Sequence, residues 1–251
     1  MSLRWPAHAP STLSVHDRAG APEVHVWATS LNVSPTVRER YRSSLSADET
    51  TRAGRFIRSS DRDAFVASHG MMRHLLGAYT RCDPAALSFT DGKYGKPSLC
   101  GRHGLQFNMS HSGTLAVLAV TAAPDVGVDI ERLRPVDDLF TLAERFLSVR
   151  EVAALQALPT AEVRRGFFNA WTRKEAFVKG LGRGLSLPLR TFDVTLTPGE
   201  PARLLATRQE ASTGRPWTLR ELNPAPDVVG ALAVPIADPL VRCFSYLPPA
   251  T

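Results

Sequence analysis

The segment WTRKEAFVK at residues 171–179 constrains the fold most, because it combines an apolar face with a charged flank. Large apolar side chains recur around it at helical spacing, namely those of Phe167, Trp171 and Val178. Glu175 and Lys179 lie four residues apart, so on a helix they project from one flank, one turn from each other. Such pairs are commonly solvated and contribute about 0.2–0.5 kcal/mol. The segment therefore predicts a long amphipathic helix and leaves the role of its charged pair open.

Composition bounds the class of protein but not its activity. The 251 residues suffice for one large domain or two small ones, and 43% hydrophobic with 22% charged residues is typical of a globular protein. A net charge of +6 favours acidic partners such as phosphates, nucleic acid or an acidic protein surface. Three widely spaced cysteines without a C-x-x-C pair indicate neither a disulfide framework nor a zinc site. With no signal-peptide pattern and no long apolar run, we expect a cytoplasmic protein without a membrane span.

Hydrophobic periodicity predicts an α/β protein whose second half repeats the outline of the first, with Pro124 at the joint. The first-half elements are predicted as strands at 24–28, 87–89, 105–109 and 115–120, helices at 36–44 and 48–57, and a long helix capped by Ser60. The second-half elements are predicted as strands at 126–130, 192–196, 217–222, 228–234 and 243–246 and helices at 137–146, 148–158 and 161–180. The domains that follow are a flexible leader at 1–22, a first half at 23–124 and a second half at 125–251.

Residues 127–131, GVDIE, place two carboxylates on one face of a predicted strand. Asp129 and Glu131 would lie about 6–7 Å apart, while the apolar residues between them face the other way. Two such carboxylates repel each other unless a cation lies between them, and hard oxygen ligands without nearby His or Cys suit Mg²⁺. A third carboxylate from Glu175 would strengthen the metal interpretation. The alternative is a strand that ends in a solvated acidic turn.

The segment SHSG at residues 110–113 predicts a polar turn between two apolar strands. There His111 and the neighbouring backbone N–H groups could hold an anion. A nucleophilic serine with a histidine base is a second possibility, but no G-x-S-x-G motif surrounds Ser110 or Ser112. A structural histidine in a hairpin is the third.

Two basic features are weak on their own. The segment YGKP at residues 94–97 resembles any loop rich in Gly and Pro. Arg52 and Arg55 lie on the helix predicted at 48–57, with Arg58 just beyond it, and their spacing of three residues predicts one shared face. Arg is well suited to bind phosphate, although a charged helix face is usually just solvated.

Taken together and in this order, four motifs resemble the 4′-phosphopantetheinyl transferases of the surfactin-synthetase-activating (Sfp) type. They are YGKP at 94–97, NMSHSG at 108–113, GVDIE at 127–131 and W-x-x-K-E-A-x-x-K at 171–179, followed by GLSLP at 184–188. The last two of the four are the family's signature, and the resemblance covers roughly residues 46–194. It implies a pseudo-dimeric α/β (α+β) fold of two similar halves, each with a small sheet and a long helix.

The resemblance also implies the reaction. Such enzymes move the 4′-phosphopantetheine arm of coenzyme A to a serine hydroxyl of an apo acyl or peptidyl carrier protein, and adenosine 3′,5′-bisphosphate leaves. Coenzyme A is then the substrate and Mg²⁺ or Mn²⁺ the cofactor, both bound in the cleft between the halves. The partners would be carrier domains of fatty-acid, polyketide or nonribosomal-peptide synthases. We expect a monomer that binds neither nucleic acid nor membrane.

Residue roles are carried over from the matching motif positions. The metal ligands would be Asp129, Glu131 and Glu175. The coenzyme A contacts would be Arg52, Arg55, Lys96, Pro97, Ser110, His111 and Lys179, with Lys179 on the pyrophosphate and His111 near the 3′-phosphate. The catalytic residues would be Glu175, Lys179 and Glu151. The base is left open between a carboxylate and a water on the metal, and the capping box of Ser148 and Glu151 offers a structural alternative for Glu151.

Two other classes of protein remain open at this point. A regulatory module that binds coenzyme A without transfer would lack a carboxylate or lysine of the site, and none is missing. A nucleic-acid-binding protein is suggested by the basic charge alone, and the predicted arginine face lacks interleaved aromatics. Glu49 departs from the family pattern, since relatives often carry a second basic residue one turn before Arg52.

Overall fold

The computed structural model describes residues 13–16, 20–101, 103–208 and 214–248. The first half contains β1 (Val24–Ser30), α1 (Pro35–Ser43), α2 (Ala47–Gly54), α3 (Ser59–Thr80), β2 (Phe89–Asp91), β3 (Pro97–Leu99), β4 (Gln106–Ser112) and β5 (Leu115–Thr121). The second half contains β6 (Gly127–Arg132), α4 (Leu139–Phe146), α5 (Val149–Gln156), α6 (Thr160–Leu181), β7 (Phe192–Val194), β8 (Leu204–Thr207), β9 (Thr218–Ala225), β10 (Val228–Val234) and β11 (Val241–Ser245). Within these described ranges, no helix has the length and apolar character needed to cross a membrane.

Each half is built on its own sheet. The first sheet has the strand order β11-β1-β5-β4, in which β1 and β4 pair antiparallel with β5. The second sheet has the order β6-β10-β9 and is antiparallel. The last strand, β11, pairs parallel with β1, so a segment that was predicted to belong to the second half completes the first sheet.

Alternation along the strands divides the core into three clusters. One face of the first sheet packs on α3 around Trp27 and Phe107, and one face of the second sheet packs on α6 around Phe177 and Ala231. The opposite faces of the two sheets meet in a third cluster that includes Val26, Val117, Val128, Ile130 and Leu232. Each sheet therefore carries one helix of 22 residues on its outer face. This arrangement confirms the predicted α/β fold of two similar halves.

The C-terminal end of α6 lies directly on the start of β6, because Gly127 has no side chain. A Cβ at Gly127 would lie 2.0 Å from the carbonyl oxygen of Ala176 and 2.2 Å from the amide nitrogen of Gly180. The helix is capped by Gly182, whose φ of +62° is in the left-handed region that glycine adopts readily. The close approach of Gly127 to α6 sets the distance between the strand and the helix that carry the predicted site.

Three predicted features of the first half were wrong. Helix α2 ends at Gly54 and not near residue 57, so Arg55 is its C-cap; Arg58 lies beyond the helix, as predicted. Arg58, and not Ser60, is the N-cap residue of α3. The SHS segment lies inside β4, and the turn that follows it is formed by Gly113 and Thr114.

Two shorter regions also differ from the predictions. The strand predicted at 87–89 is β2, which begins at Phe89 and forms a hairpin with β3. Of the predicted leader, residues 1–12 and 17–19 lie outside the described ranges. Val15 is buried against the first core, and its carbonyl oxygen accepts a hydrogen bond from the Glu23 N–H at 2.8 Å.

Candidate active site

Three carboxylates converge where β6 meets α6. Asp129 and Glu131 project from one face of β6, Glu175 projects from α6, and all three line an open cavity of about 400 Å³. The other lining residues are Met109, Ser110, His111, Trp171 and Lys179. The structure therefore brings together the predicted metal ligands, the predicted phosphate-binding lysine, and both Ser110 and His111.

Asp129 is the most buried of the three carboxylates, with 5% of its surface exposed. Its Oδ1 accepts hydrogen bonds from Lys179 Nζ at 2.6 Å and from Ser110 Oγ at 2.9 Å. Its Oδ2 is buried and has no hydrogen-bond partner among the described residues. Burial raises the pKa of Asp129, and the Lys179 ammonium opposes that shift. A buried oxygen left in this way costs free energy that a bound cation would recover.

The other two carboxylates also lie in an unfavourable electrostatic environment. Burial raises the pKa of Glu131; the Asp129 charge adds to this shift, and a hydrogen bond from Ser112 opposes it. Burial likewise raises the pKa of Glu175, with the charges of Asp129 and Glu131 acting in the same direction and Lys179 opposing them. Three neighbouring carboxylates with one lysine therefore favour an additional positive charge.

The donor set suits a divalent cation. Carboxylate oxygens are the hard ligands that Mg²⁺ and Mn²⁺ prefer, and Asp129 supplies one that is buried and otherwise unpartnered in the described structure. As the side chains lie, Lys179 neutralises Asp129. Among the described residues, no group of three or more His, Cys, Asp or Glu side chains is arranged as a ready set of metal ligands. The residues thus fit a metal by their chemistry, and their ligand geometry is not preformed.

Side chains of β4 hold the carboxylates in place. Three N–H groups of β6 donate to side chains on β4: Val128 to Asn108 at 2.8 Å, Ile130 to Ser110 at 3.3 Å and Arg132 to Ser112 at 3.0 Å. The hydroxyls of Ser110 and Ser112 in turn donate to Asp129 and Glu131. Both serines therefore position carboxylates, which argues against a nucleophilic serine. The two sheets are thus joined here by hydrogen bonds from backbone N–H groups of β6 to alternate polar side chains of β4. These polar side chains are the reason that the sequence suggested a turn in place of a strand.

Lys179 and His111 are the basic groups at this cavity. Lys179 Nζ contacts Asp129 and also lies 3.2 Å from Ser110 Oγ, so its ion pair is with Asp129 instead of with Glu175 on the same helix. Burial, and then the charge of Lys179, lowers the pKa of His111, which is therefore a neutral ring at pH 7. A neutral histidine and a charged lysine at one opening can both donate hydrogen bonds to an anion.

A second cavity of about 490 Å³ lies beside the first, and Met109 is in the wall of both. Its wall includes Arg52 and Pro97, two of the predicted coenzyme A contacts. Arg55 and Lys96, two others, are not among the described residues that line it. Arg55 is exposed beyond the end of α2, and the side chain of Lys96 extends toward the second half of the protein.

His69 lies in the wall of the second cavity and was not singled out from the sequence. Its ring stacks on Phe65, one turn earlier on α3, with 3.8 Å between the ring centroids. The guanidinium of Arg52 lies 5.5 Å from the centroid of the same Phe65 ring. Burial lowers the pKa of His69 to about 4. The aromatic spacing of four residues was the signal in the sequence that could have identified it.

Glu49 lies in the same wall, but its charge is neutralised. Its Oε2 accepts a hydrogen bond from the Ser46 N–H at 2.8 Å in a capping box and pairs with Arg73 Nε at 2.6 Å. Arg73 is 1% exposed and also donates to the carbonyl oxygens of Pro84 and Leu87. Glu49, which departs from the family pattern, therefore holds Ser46 and Arg73 in place in the wall of the cavity and adds no unpaired negative charge to it.

Glu151 is fully engaged in the core of the second half. Its Oε1 accepts a hydrogen bond from the Val194 N–H at 2.8 Å, and its Oε2 contacts the Ser148 N–H and Lys174 Nζ, each at 2.8 Å. The residue is 2% exposed and is not among the described residues that line the carboxylate cavity. These contacts favour a structural role for Glu151, and its predicted catalytic role stays a prediction.

Comparison with known proteins identifies the family. The family model "4′-phosphopantetheinyl transferase, N-terminal" matches residues 34–123, and the model "4′-phosphopantetheinyl transferase superfamily" matches residues 125–233. The 4′-phosphopantetheinyl transferase HetI of Nostoc sp. is 39% identical over 215 residues, which cover 84% of this chain and 87% of the relative. The 4′-phosphopantetheinyl transferase Sfp of Bacillus subtilis strain 168 is 32% identical over 158 residues, or 63% of this chain and 69% of the relative.

The fold and these matches agree. The protein has an α/β fold of two similar halves, with carboxylates and a lysine gathered between them, and this arrangement is consistent with the matched family. The chain belongs to the 4′-phosphopantetheinyl transferase family and is an enzyme of that kind. The resemblance first drawn from four motifs is confirmed, and the matches extend it on both sides of residues 46–194.

Proposed function

We propose that this enzyme transfers the 4′-phosphopantetheine moiety of coenzyme A to a serine of an apo acyl or peptidyl carrier protein and releases adenosine 3′,5′-bisphosphate. The observation that carries the proposal is the convergence of Asp129, Glu131, Glu175 and Lys179 in one cavity. That cavity shares Met109 with a second cavity large enough for a nucleotide portion. Coenzyme A would lie across both, with its pyrophosphate at the carboxylate cluster.

The bond changes can be assigned to residues of this chain. The serine oxygen of the carrier attacks the phosphorus that bears the pantetheine arm, the bond from this phosphorus to the bridging oxygen breaks, and the electron pair leaves on adenosine 3′,5′-bisphosphate. Lys179 donates to the pyrophosphate oxygens, where charge is spread during phosphoryl transfer, and His111 donates to the 3′-phosphate. Glu175 accepts the serine proton as the general base.

Asp129, Glu131 and Glu175 would hold Mg²⁺. When bound, this ion neutralises phosphate charge and orients the pyrophosphate. The unpartnered Oδ2 of Asp129 and the raised pKa of all three carboxylates support this assignment. Mn²⁺ would use the same oxygen donors.

We further propose that the halves divide these tasks. Residues 23–124 supply the wall of the second cavity and bind coenzyme A, while residues 125–251 carry the metal ligands and Lys179, with β11 returning to complete the first sheet. The net charge of +6 suits a carrier protein with an acidic surface around its serine. We expect the enzyme to act as a cytoplasmic monomer on carriers of fatty-acid, polyketide or nonribosomal-peptide synthesis.

Mass spectrometry tests this function directly. A panel of apo carrier proteins from the three kinds of synthase is incubated with the enzyme, coenzyme A and MgCl₂, and the gain of one phosphopantetheine mass per carrier is followed. Asp129→Asn and Glu175→Gln should abolish the gain. Glu162→Gln, at an exposed position in the first turn of the same helix, is the matched control and should keep it. Full activity in both site variants would refute the assignment.

A further inference from the structure

Lys96 links the two halves of the protein. It lies in the loop between β2 and β3, and its ammonium donates to the carbonyl oxygens of Val126 at 3.0 Å and Gly180 at 2.9 Å. A carboxylate oxygen of Asp125 lies 3.7 Å from the same nitrogen, and the side chain is 13% exposed. An ammonium group has three N–H donors. The two carbonyl oxygens therefore take two of these donors, and Asp125 lies at ion-pair distance from the same ammonium.

The two carbonyl groups belong to the ends of the elements that carry the active site. Val126 directly precedes β6, which holds two of the carboxylates, and Gly180 lies in the last turn of α6, which holds the third carboxylate and Lys179. A cation at the C-terminus of a helix is stabilised by the carbonyl groups exposed there. The aliphatic part of Lys96 lies beside the cap of α6, since a Cβ at Gly182 would be 3.2 Å from Lys96 Cδ.

The backbone around Lys96 also borders the second cavity. Gly95 and Pro97, its two neighbours in sequence, line that cavity. One residue thus lies in the loop that forms a wall of the coenzyme A cavity and holds, through its side chain, the strand and the helix of the carboxylate cluster.

We propose that Lys96 is a positioning residue, whose ammonium ties this loop to β6 and α6 and so sets the placement of Asp129 relative to Glu175. The catalytic consequence rests on the proposed function, whereas the structural tie does not. The inference replaces the expectation that the Lys96 side chain contacts coenzyme A, because its ammonium is already held by two carbonyl groups and lies beside the Asp125 carboxylate.

Hydrogen–deuterium exchange tests the tie without any ligand. Lys96→Met keeps most of the length of the side chain and removes all its donors. Amide exchange should become about 10-fold faster in peptides that cover residues 124–130 and 176–183, because these ends open locally more often. Tyr79→Phe is the control, since it removes a hydroxyl that contacts His25 and Trp27 inside the first half. It should leave both peptides unchanged.

Kinetics test the positioning role, at a temperature well below the unfolding midpoint of every variant. Lys96→Met should lower kcat by about 10- to 100-fold, since small displacements of reacting groups have effects of this size. The KM for coenzyme A, and the Kd for adenosine 3′,5′-bisphosphate measured by calorimetry, should change by less than about threefold if the side chain makes no contact with the nucleotide. Tyr79→Phe should keep the wild-type kcat.

Each outcome decides one part of the proposal. Unchanged exchange in both peptides would overturn the tie, and faster exchange with an unchanged kcat would overturn the positioning role. A loss of adenosine 3′,5′-bisphosphate affinity as large as the loss of kcat/KM would identify Lys96 as a direct ligand contact. A wild-type enzyme that transfers nothing would refute the proposed function and the catalytic part of this inference, while the exchange data would still decide the tie.

Discussion

Lys179 Nζ lies 2.6 Å from Asp129 Oδ1, so a single ammonium balances the most buried carboxylate of the site. The second oxygen of Asp129 has no partner among the described residues. The repulsion between Glu131 and Glu175 is offset by this lysine, and at Glu131 also by the Ser112 hydroxyl and the charge of Arg134. The three carboxylates attract a cation and Lys179 attracts an anion. The charges of the cluster therefore suit a metal ion and a pyrophosphate bound together.

Replacing Lys179 with Met should reduce the rate of transfer by about 10²–10³-fold, the cost that removal of one preorganised donor to a developing charge commonly has. The loss should appear in kcat more than in the KM for coenzyme A, because the charge on the phosphate oxygens grows in the transition state. The rate of carrier loading by mass spectrometry measures it. Arg164→Met, which removes an exposed cation from the same helix, should load the carrier at the wild-type rate. Equal losses in both variants would point to a general effect of charge on carrier binding.

Magnesium should stabilise the folded enzyme before any substrate is present. A ligand that binds the folded state alone contributes about 2.7 kcal/mol at a hundredfold excess over its Kd, which corresponds to a rise in Tm of about 5 °C or more for a chain of this size. Thermal unfolding with and without MgCl₂ provides the measurement. Asp129→Asn should lose the response and Glu162→Gln should retain it. A rise in the Tm of Asp129→Asn as large as that of the wild type would place the metal elsewhere.

Glu175→Gln should make the metal-free enzyme more stable at neutral pH while it abolishes transfer. Burial, and next the charge of Asp129, raises the pKa of Glu175 above its ordinary value of 4.5. The folded protein then binds this proton more tightly than the unfolded chain, so the stability contributed by the group is present below the ordinary value and lost as pH rises through the raised value. Removing the charge should therefore raise Tm at neutral pH by about 2–4 °C.

The pH dependence separates this effect from better packing. Below the ordinary pKa the carboxyl is protonated in both states, so Glu175→Gln should gain nothing there. Unfolding is followed in EDTA over a pH series, with Glu162→Gln expected to match the wild type throughout. A gain that is the same at every pH would show that charge repulsion is not its cause.

Much of this fold could be predicted from local patterns. The long helices α3 and α6 have apolar residues at helical spacing, and the strands β1 and β5 are largely buried segments that the sequence located. The three-residue strands β2 and β3 are too short for any period to show. The parallel pairing of β11 with β1 joins segments at opposite ends of the chain, and no local pattern encodes that choice.

The same distinction between local patterns and long-range contacts applies to the predicted site. Alternation placed Asp129 and Glu131 on one face, and the motif order suggested that Glu175 would join them. The contacts of the Lys96 side chain could not be predicted, because its two carbonyl partners lie 30 and 84 residues further along the chain. The serines at 110 and 112 were misread because a side-chain ladder between two sheets has the same polar pattern as a turn.

The pair of Glu151 and Lys174 should prove structural when both charges are removed together. Lys174 is 0% exposed, and its ammonium contacts Glu151 Oε2 at 2.8 Å and the carbonyl oxygens of Leu189 and Phe192. Glu151→Ala alone leaves this buried cation without its counter-ion, which should cost about 3–5 kcal/mol of unfolding free energy. Glu151→Gln combined with Lys174→Met should recover part of that loss, since no uncompensated charge remains in the core.

Activity then distinguishes the two roles of Glu151. If its function is structural, the double variant should load carrier protein with a kcat within about threefold of the wild type, measured below the unfolding midpoint. The reason is that the interaction between Glu151 and Lys174 would then contribute to stability alone. Denaturant unfolding provides the free energies, and mass spectrometry provides the rates. A double variant that is folded and yet as inactive as Glu175→Gln would return Glu151 to the catalytic residues.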